Sequence, residues 1–513
     1  MEINIKKIKK LFNRNFLIIA ILLVQVLFII SCLMSIYDDM TAVYGIQTIV
    51  SVLIVCYVVN RRDTNPAYKI LWTILILIIP IFGTFMYIFL HAQLGTMFFR
   101  SKKNQIVRLT NPLIPQDSET MEELERDSLY VSHLARYVND YGCYPVYRNS
   151  FLEYYKVGEE KYASMLRELS QAKKYIFIEY FIIGQGEMWD SVLDILVKKA
   201  EEGVEVRLMY DGMGSQFILP TYYNRYLETK GIKCRVFNEF RPFLSTSQNN
   251  RDHRKIIVID GITAFNGGVN IADEYINEKE RFGHWKDTAV MIRGEAVWSF
   301  AVMFIQMWER KTHQLSDYEK YKPEYVQPVQ KQGYVLPYGD SPTDNENVGK
   351  LIYLDIINKA KNYVYITTPY LILDNELITA LGFAVKSGVD VRIIVPHIAD
   401  KWYANYVGWN YYKELIMLGV KIYEYMPGFI HAKNFLADDT AAVVGTVNLD
   451  YRSLYLHFEC GTFMYKVPAI ADIKADFSET FVKCRQITLE DCKKRPLIKK
   501  IMGSVMRIIA PLL

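Results

Sequence analysis

Two stretches of this chain repeat one another joint by joint, and that repeat constrains the fold more than any other feature. Residues 172–178 (AKKYIFI) match 360–366 (AKNYVYI), each a short β-branched and aromatic run suited to a buried strand. Residues 199–209 (KAEEGVEVRLM) match 384–394 (AVKSGVDVRII). In both, a helical pattern stops at a glycine suited to a left-handed C-cap, Gly203 or Gly388, and a buried strand follows. A third joint, 231–233 (GIK), matches 419–421 (GVK). Any α/β domain has helix–glycine–strand joints, but three in the same order indicate duplication. Alternating strands and helices then predict two similar α/β lobes, each a mixed sheet flanked by helices, related by a pseudo-two-fold. The 513 residues accommodate lobes at 151–325 and 326–495, a charged linker at 96–150, and a C-terminal segment at 496–513.

The chemistry follows the third joint in each half. His253, Lys255 and Asp260 precede Gly267 and Asn270, and His431, Lys433 and Asp438 precede Gly445 and Asn448. Both halves read HxK(x)4D(x)6GxxN. In a strand of period two, His and Lys at i and i+2 point to one face and can address one bound group. Imidazole serves as nucleophile or as general acid, and a pair can divide those roles. Lysine ammonium and Asn amide groups are donors that neutralise a phosphoryl oxyanion. Together these residues make up a kit for phosphoryl transfer that needs no metal or cofactor. The repeat also lays Asp287 over Glu459. A carboxylate on the far nitrogen of each imidazole fixes its tautomer and raises its basicity, so these two acids are the candidates for orienting the histidines.

Apolar residues cluster at the start of the chain. Three long runs, 16–36, 41–60 and 68–90, are predicted membrane spans, the third with Lys69, Pro80 and Gly83 inside it and suited equally to a kinked or re-entrant helix. A lipoprotein-like signal around Cys32 is disfavoured because the apolar run continues past it. The basic N-terminus and Arg61–Arg62 belong on the cytoplasmic side by charge bias; Arg100, Lys102 and Lys103 favour the same side for the rest of the chain. A net charge of +4 is too near neutral for a dedicated nucleic-acid binder. Seven cysteines without CxxC spacing argue against a disulfide framework or a zinc site. The basic, apolar stretch 493–513 reads equally as an interfacial helix or as one docked on a lobe. The aromatic cluster at 402–412 suits either a lipid entrance or an ordinary helix face.

The duplicated HxK(x)4D motif resembles the phospholipase D superfamily. Residues 250–255 (NRDHRK), 267–275 (GGVNIADEY), 367–370 (TTPY), 427–433 (PGFIHAK) and 448–453 (NLDYRS) resemble, further, the bacterial cardiolipin synthases, over nearly the whole chain from about residue 42. His457, where that family usually has Asn, and Asp439, where it often has Gly, depart from the pattern. The resemblance implies a multi-pass protein of the bacterial cell membrane. It implies a reaction in which two phosphatidylglycerol molecules give cardiolipin and glycerol through a phosphatidyl-histidine intermediate. It also implies a catalytic set of His253, Lys255, Asp260, His431, Lys433 and Asp438, with Lys255, Asn270, Lys433 and Asn448 on the phosphate oxygens. His253 is the expected nucleophile and His431 the expected acid and base. Within that set Asp260 and Asp438 read as structural, because five residues past the lysine they fall on the other strand face or in the turn. Discharge by water or by another alcohol remains the alternative outcome, since motifs do not report acceptor choice. Oligomeric state is not readable from the sequence.

Overall fold

The computed structural model describes residues 38–61, 65–91, 106–107, 109–239, 249–310, 317–323, 333–344 and 346–512. The predicted span at 16–36 and the basic residues at 100–103 lie outside these. The chain divides into an N-terminal unit, within residues 1–99 with 240–249, and a larger unit formed by 100–239 and 250–513.

In the N-terminal unit the second predicted span folds as one helix, Asp38–Asn60, while the third divides into Pro66–Ile78 and Pro80–His91. The break falls at Ile79, because Pro80 lacks an N–H and disfavours helical geometry in the residue before it. Val58, Ile76 and Tyr87 form a small core, with Trp72 packed edge-on against Tyr87. Ile46, Ile49, Leu53, Ile70 and Ile78 point outward, each more than half exposed. Among the described residues no helix is long and apolar enough to cross a membrane.

The larger unit carries the repeat. Its first sheet comprises β1 (Ser150–Tyr155), β2 (Tyr175–Tyr180), β3 (Glu205–Asp211), β4 (Lys233–Phe237), β5 (Lys255–Ile259), β6 (Thr263–Gly267) and β8 (Ala289–Gly294), in the order β1-β8-β6-β5-β2-β3-β4. The second comprises β9 (Tyr334–Asp340), β10 (Tyr363–Thr367), β11 (Asp390–Pro396), β12 (Lys421–Tyr425), β14 (Asn434–Ala437), β15 (Ala441–Gly445), β16 (Glu459–Tyr465) and β17 (Cys484–Gln486). Its order, β9-β16-β15-β14-β10-β11-β12-β17, repeats the first and adds one edge strand. In each sheet three strands run parallel and the HxK strand pairs antiparallel beside them. Strands β2, β5 and β14 are buried on both faces, which explains their largely apolar runs.

The sheets meet where β6 and β8 pack on β15 and β16. The helix Val297–Glu309 touches β2, β5, β6 and β8 of the first sheet and β9 of the second. Twelve of its 13 residues are buried, as expected of a helix apolar on every side. A short parallel ribbon joins the lobes again, β7 (His284–Lys286) against β13 (Gly428–Ile430). The segment read as a linker, 96–150, is partly structured. Helices Ser118–Asp127 and Leu129–Tyr137 bury Leu124, Leu134 and Ala135, and Trp298 donates its indole N–H to Leu113 O at 2.8 Å. The charged outer face of the first of them made the segment look like linker.

Candidate active site

The HxK histidines stand at the entrances of β5 and β14, where the two lobes face each other. The backbone N–H of His253 donates to the carbonyl of Phe458 at 2.9 Å, and that of His431 donates to the carbonyl of Lys286 at 2.7 Å. Phe458 precedes Glu459, and Lys286 precedes Asp287. Each bond therefore crosses the lobe boundary and sets an imidazole beside the opposite lobe's carboxylate. His253 Nδ1 lies 2.9 Å from both Glu459 oxygens, and His431 Nδ1 lies 2.6 Å from Asp287 Oδ2. The repeat alignment singled out the two acids without saying which histidine each faces; the pairing is crossed.

Local sequence holds each acid differently. Asp287 Oδ1 accepts the N–H of Thr288 at 2.8 Å and fits only because residue 268 is glycine. A Cβ there would come within 2.1 Å of that oxygen. At the equivalent place in the second lobe Thr446 fills the space and donates its hydroxyl to Glu459 Oε2. The approach to His253 is fixed by Arg251, whose Nε lies 3.0 Å from both oxygens of buried Asp211. Asp211 Oδ2 also accepts the N–H of Asp252 at 3.0 Å.

Lys255 Nζ donates to His253 O at 2.6 Å, and Lys433 Nζ donates to His431 O. Lys433 Nζ also lies 2.8 Å from His431 Nδ1. Both lysines are 1% exposed. Burial pulls Lys255 down to about 8 and Lys433 down to about 7. Burial, then the Lys433 charge, takes His431 down to about 4; burial with Lys255 and His457 takes His253 well below its usual range. Both imidazoles are thus neutral at pH 7, and with Nδ1–H facing a carboxylate each presents an unprotonated Nε2.

His253, His431, Asn270 and Asn448 line one cavity of about 460 Å³. Asn270 is fastened, accepting from Ile182 N at 3.1 Å and donating to the Tyr275 hydroxyl at 2.7 Å, which leaves one amide hydrogen. Asn448 Oδ1 is buried and has no partner among the described residues. Asp260 and Asp438 belong elsewhere, at the far ends of their strands. Asp260 accepts the N–H groups of Lys173, Lys174 and Tyr175, and Asp438 those of Lys361, Asn362 and Tyr363. They pin the repeated helix-to-strand turn and do not reach the cavity, so their place in the expected catalytic set is corrected to a structural one.

Several neighbours escaped the sequence reading. Trp285, Tyr275 and Phe429 box His431, with ring centroids 5.5–5.6 Å away. Phe181 and His457 stand 5.0 and 5.9 Å from His253. Tyr370, Lys401 and Arg452 complete the wall. These come from separate elements with no common spacing; Tyr275, Tyr370, Phe429 and Arg452 lie within the family-like segments and His457 stands out as a departure from the family pattern, but neither signal marks a residue as part of the site.

A two-lobed α/β fold with crossed His–carboxylate pairs at its pseudo-two-fold defines a phospholipase D-type enzyme. Its shape matches the crystal structure of phosphatidylserine synthase from Haemophilus influenzae with a TM-score of 0.56, over 75% of this chain and all of that one, at 15% identity. The family model described as "Cardiolipin synthase, PLD-like domain" matches twice, at residues 165–308 and 353–481, and a phospholipase D-nuclease N-terminal model matches 49–90. A Streptococcus mutans protein described as uncharacterized is 47% identical over 90% of this chain and 99% of its own. The cardiolipin synthase of Geobacillus thermodenitrificans is 33% identical over 98% of this chain and all of its own, and that of Alkalihalophilus pseudofirmus 32% over 90% and 92%. The chain belongs to the bacterial cardiolipin synthase family of the phospholipase D superfamily.

Proposed function

We propose that this enzyme is a phosphatidyltransferase that joins two phosphatidylglycerol molecules into cardiolipin and releases glycerol. The observation that carries this reading is the pair of imidazoles on one cavity, each with the buried acid Glu459 or Asp287 on its Nδ1. His253 Nε2 attacks the phosphorus of the first lipid; the P–N bond forms as the P–O bond to glycerol breaks. His431 gives the departing oxygen its proton. In the second step His431 takes a proton from the headgroup hydroxyl of the second lipid, whose oxygen displaces His253 from phosphorus. The steps are reversible. Lys255, Lys433, Asn270 and Asn448 are assigned to the non-bridging oxygens; Lys255 keeps two ammonium hydrogens beyond the one on its His carbonyl. A phosphodiester anion set among these cations opposes the Lys433 charge that depresses His431, so substrate entry itself restores the proton the first step needs. Apolar side chains on the outside of the N-terminal helices support insertion of that unit in the cell membrane, with the larger unit on the cytoplasmic side.

The test is to incubate the purified chain with phosphatidylglycerol vesicles in EDTA and follow products by mass spectrometry. Cardiolipin with an equal amount of glycerol is expected. Phosphatidic acid alone would assign water as the acceptor, and no turnover would refute the donor.

A further inference from the structure

The C-terminal helix, Leu497–Ile508, is docked the wrong way round for a helix of a water-soluble surface. An amphipathic helix normally buries its apolar stripe and shows its charges. Here Leu497, Ile498, Ile501, Val505 and Ile508 are 49–72% exposed. With Met502 and Ile509 they fall, at 100° per residue, within an arc of about 140°.

The opposite side faces the helix Trp402–Leu418. Gly503 lies so close that a Cβ would meet Tyr406 O at 2.4 Å. Arg507 pairs with Glu414 at 2.6 Å and lies 4.4 Å from the ring centre of Tyr411. Arg495 stacks on Trp409 at 4.5 Å and donates to Asn405 at 2.8 Å. Cations and a glycine hold the helix down, and the oily stripe is turned out. The aromatic cluster seen in the sequence thus serves largely as the seat for these cations.

Two observations name the occupant of that stripe. From residue 493 to the end the chain has six basic residues and no acidic one (Lys493, Lys494, Arg495, Lys499, Lys500, Arg507). Beside the helix opens a groove of about 880 Å³ with Phe383, Met417 and Leu418 in its wall and Lys386, Lys413 and Arg507 among its charges. The groove wall carries three cations against one acid, Glu414, so an apolar stripe and groove set in an excess of positive charge match an anionic lipid surface in both chemistry and sign. The same docking helix carries Tyr403 and Ala404, which line the catalytic cavity one turn before the seat begins.

We propose that the outward face of the C-terminal helix is a second membrane contact, by which the catalytic unit lies on an anionic bilayer with its cavity near the interface. Such a contact is independent of the reaction proposed above and of which acceptor completes it. The test uses the full chain in vesicles containing a phosphatidylcholine with a photoreactive diazirine in its acyl chain, with or without phosphatidylglycerol. The tryptic peptide 501–507 should take up label, about five-fold more in the anionic vesicles. The double variant Ile501→Ser/Val505→Ser should lose that label while peptides of the N-terminal helices keep theirs and circular dichroism is unchanged. Label on 501–507 that is absent, or equal in the two lipids, while the N-terminal helices are labelled, would overturn the proposal.

Discussion

The two half-sites hold their histidines by the same backbone bond and support them with different carboxylates. His431 faces a short acid, Asp287, wedged against Gly268 and boxed by three aromatic rings. His253 faces a longer acid, Glu459, steadied by the Thr446 hydroxyl and neighboured by Phe181 and His457. Asn270 is fastened at both ends of its amide, whereas Asn448 leaves its oxygen unpaired among the described residues. Duplication thus preserved the frame that places an imidazole and let its surroundings diverge. A symmetric pair would have no basis for dividing nucleophile from acid; these two half-sites do.

The largest expected effect comes from the acids. Asp287→Asn and Glu459→Gln should each lower turnover by about 10²-fold or more, since an amide cannot hold the imidazole in the tautomer that frees Nε2. Their signatures should separate: Glu459→Gln slows chiefly the formation of the covalent intermediate, and Asp287→Asn slows both its formation and its transfer to acceptor, both read by rapid quench. Equal slowing of both steps by both variants would erase the division of roles.

A smaller effect, about 10-fold, should follow from exchanging the two supports. Gly268→Ala forces a methyl into Asp287 and should slow the His431 steps. Thr446→Gly removes a donor to Glu459 and should slow the His253 step alone. Steady-state and burst kinetics on both variants check this.

The smallest effect lies in acid stability. Folded His431 stays neutral down to about 4, while an unfolded imidazole takes its proton near 6.5. Between those values the unfolded chain binds more protons, so stability is full above the unfolded value and is lost as pH falls toward about 4. Melting temperature should therefore drop across that window, and His431→Gln should flatten the slope more than substitution of an exposed histidine such as His397.

Much of this was legible in the sequence because the repeat spaces it evenly. The three joints, at 172–178, Gly203 and Gly231, with their partners at 360–366, Gly388 and Gly419, lead into strands that occupy equivalent places in the two sheets. Asp287 and Glu459 were found the same way. Their crossed pairing was not, because it depends on how one lobe faces the other, through the bonds of His253 to Phe458 and His431 to Lys286, and no periodicity reports that. Strands β1 and β9 escaped because they return from a distance in the chain to close the sheet edges. The helix at 118–127 was missed because so few of its residues are apolar, and the one at 129–137 because it is short and follows directly on that charged stretch. Burial of Lys255 and Lys433 was unreadable too, since a lysine on a strand usually reaches water.

The central claim is that the half-sites take different roles in a covalent reaction, and trapping the intermediate tests it most directly. Phosphatidylglycerol labelled in its acyl chains should be mixed with His253→Ala and with His431→Ala, quenched in base, and the protein analysed by mass spectrometry. His431→Ala should carry a phosphatidyl group on His253, formed slowly, and His253→Ala should carry none. A phosphatidyl group on His253→Ala would contradict the account.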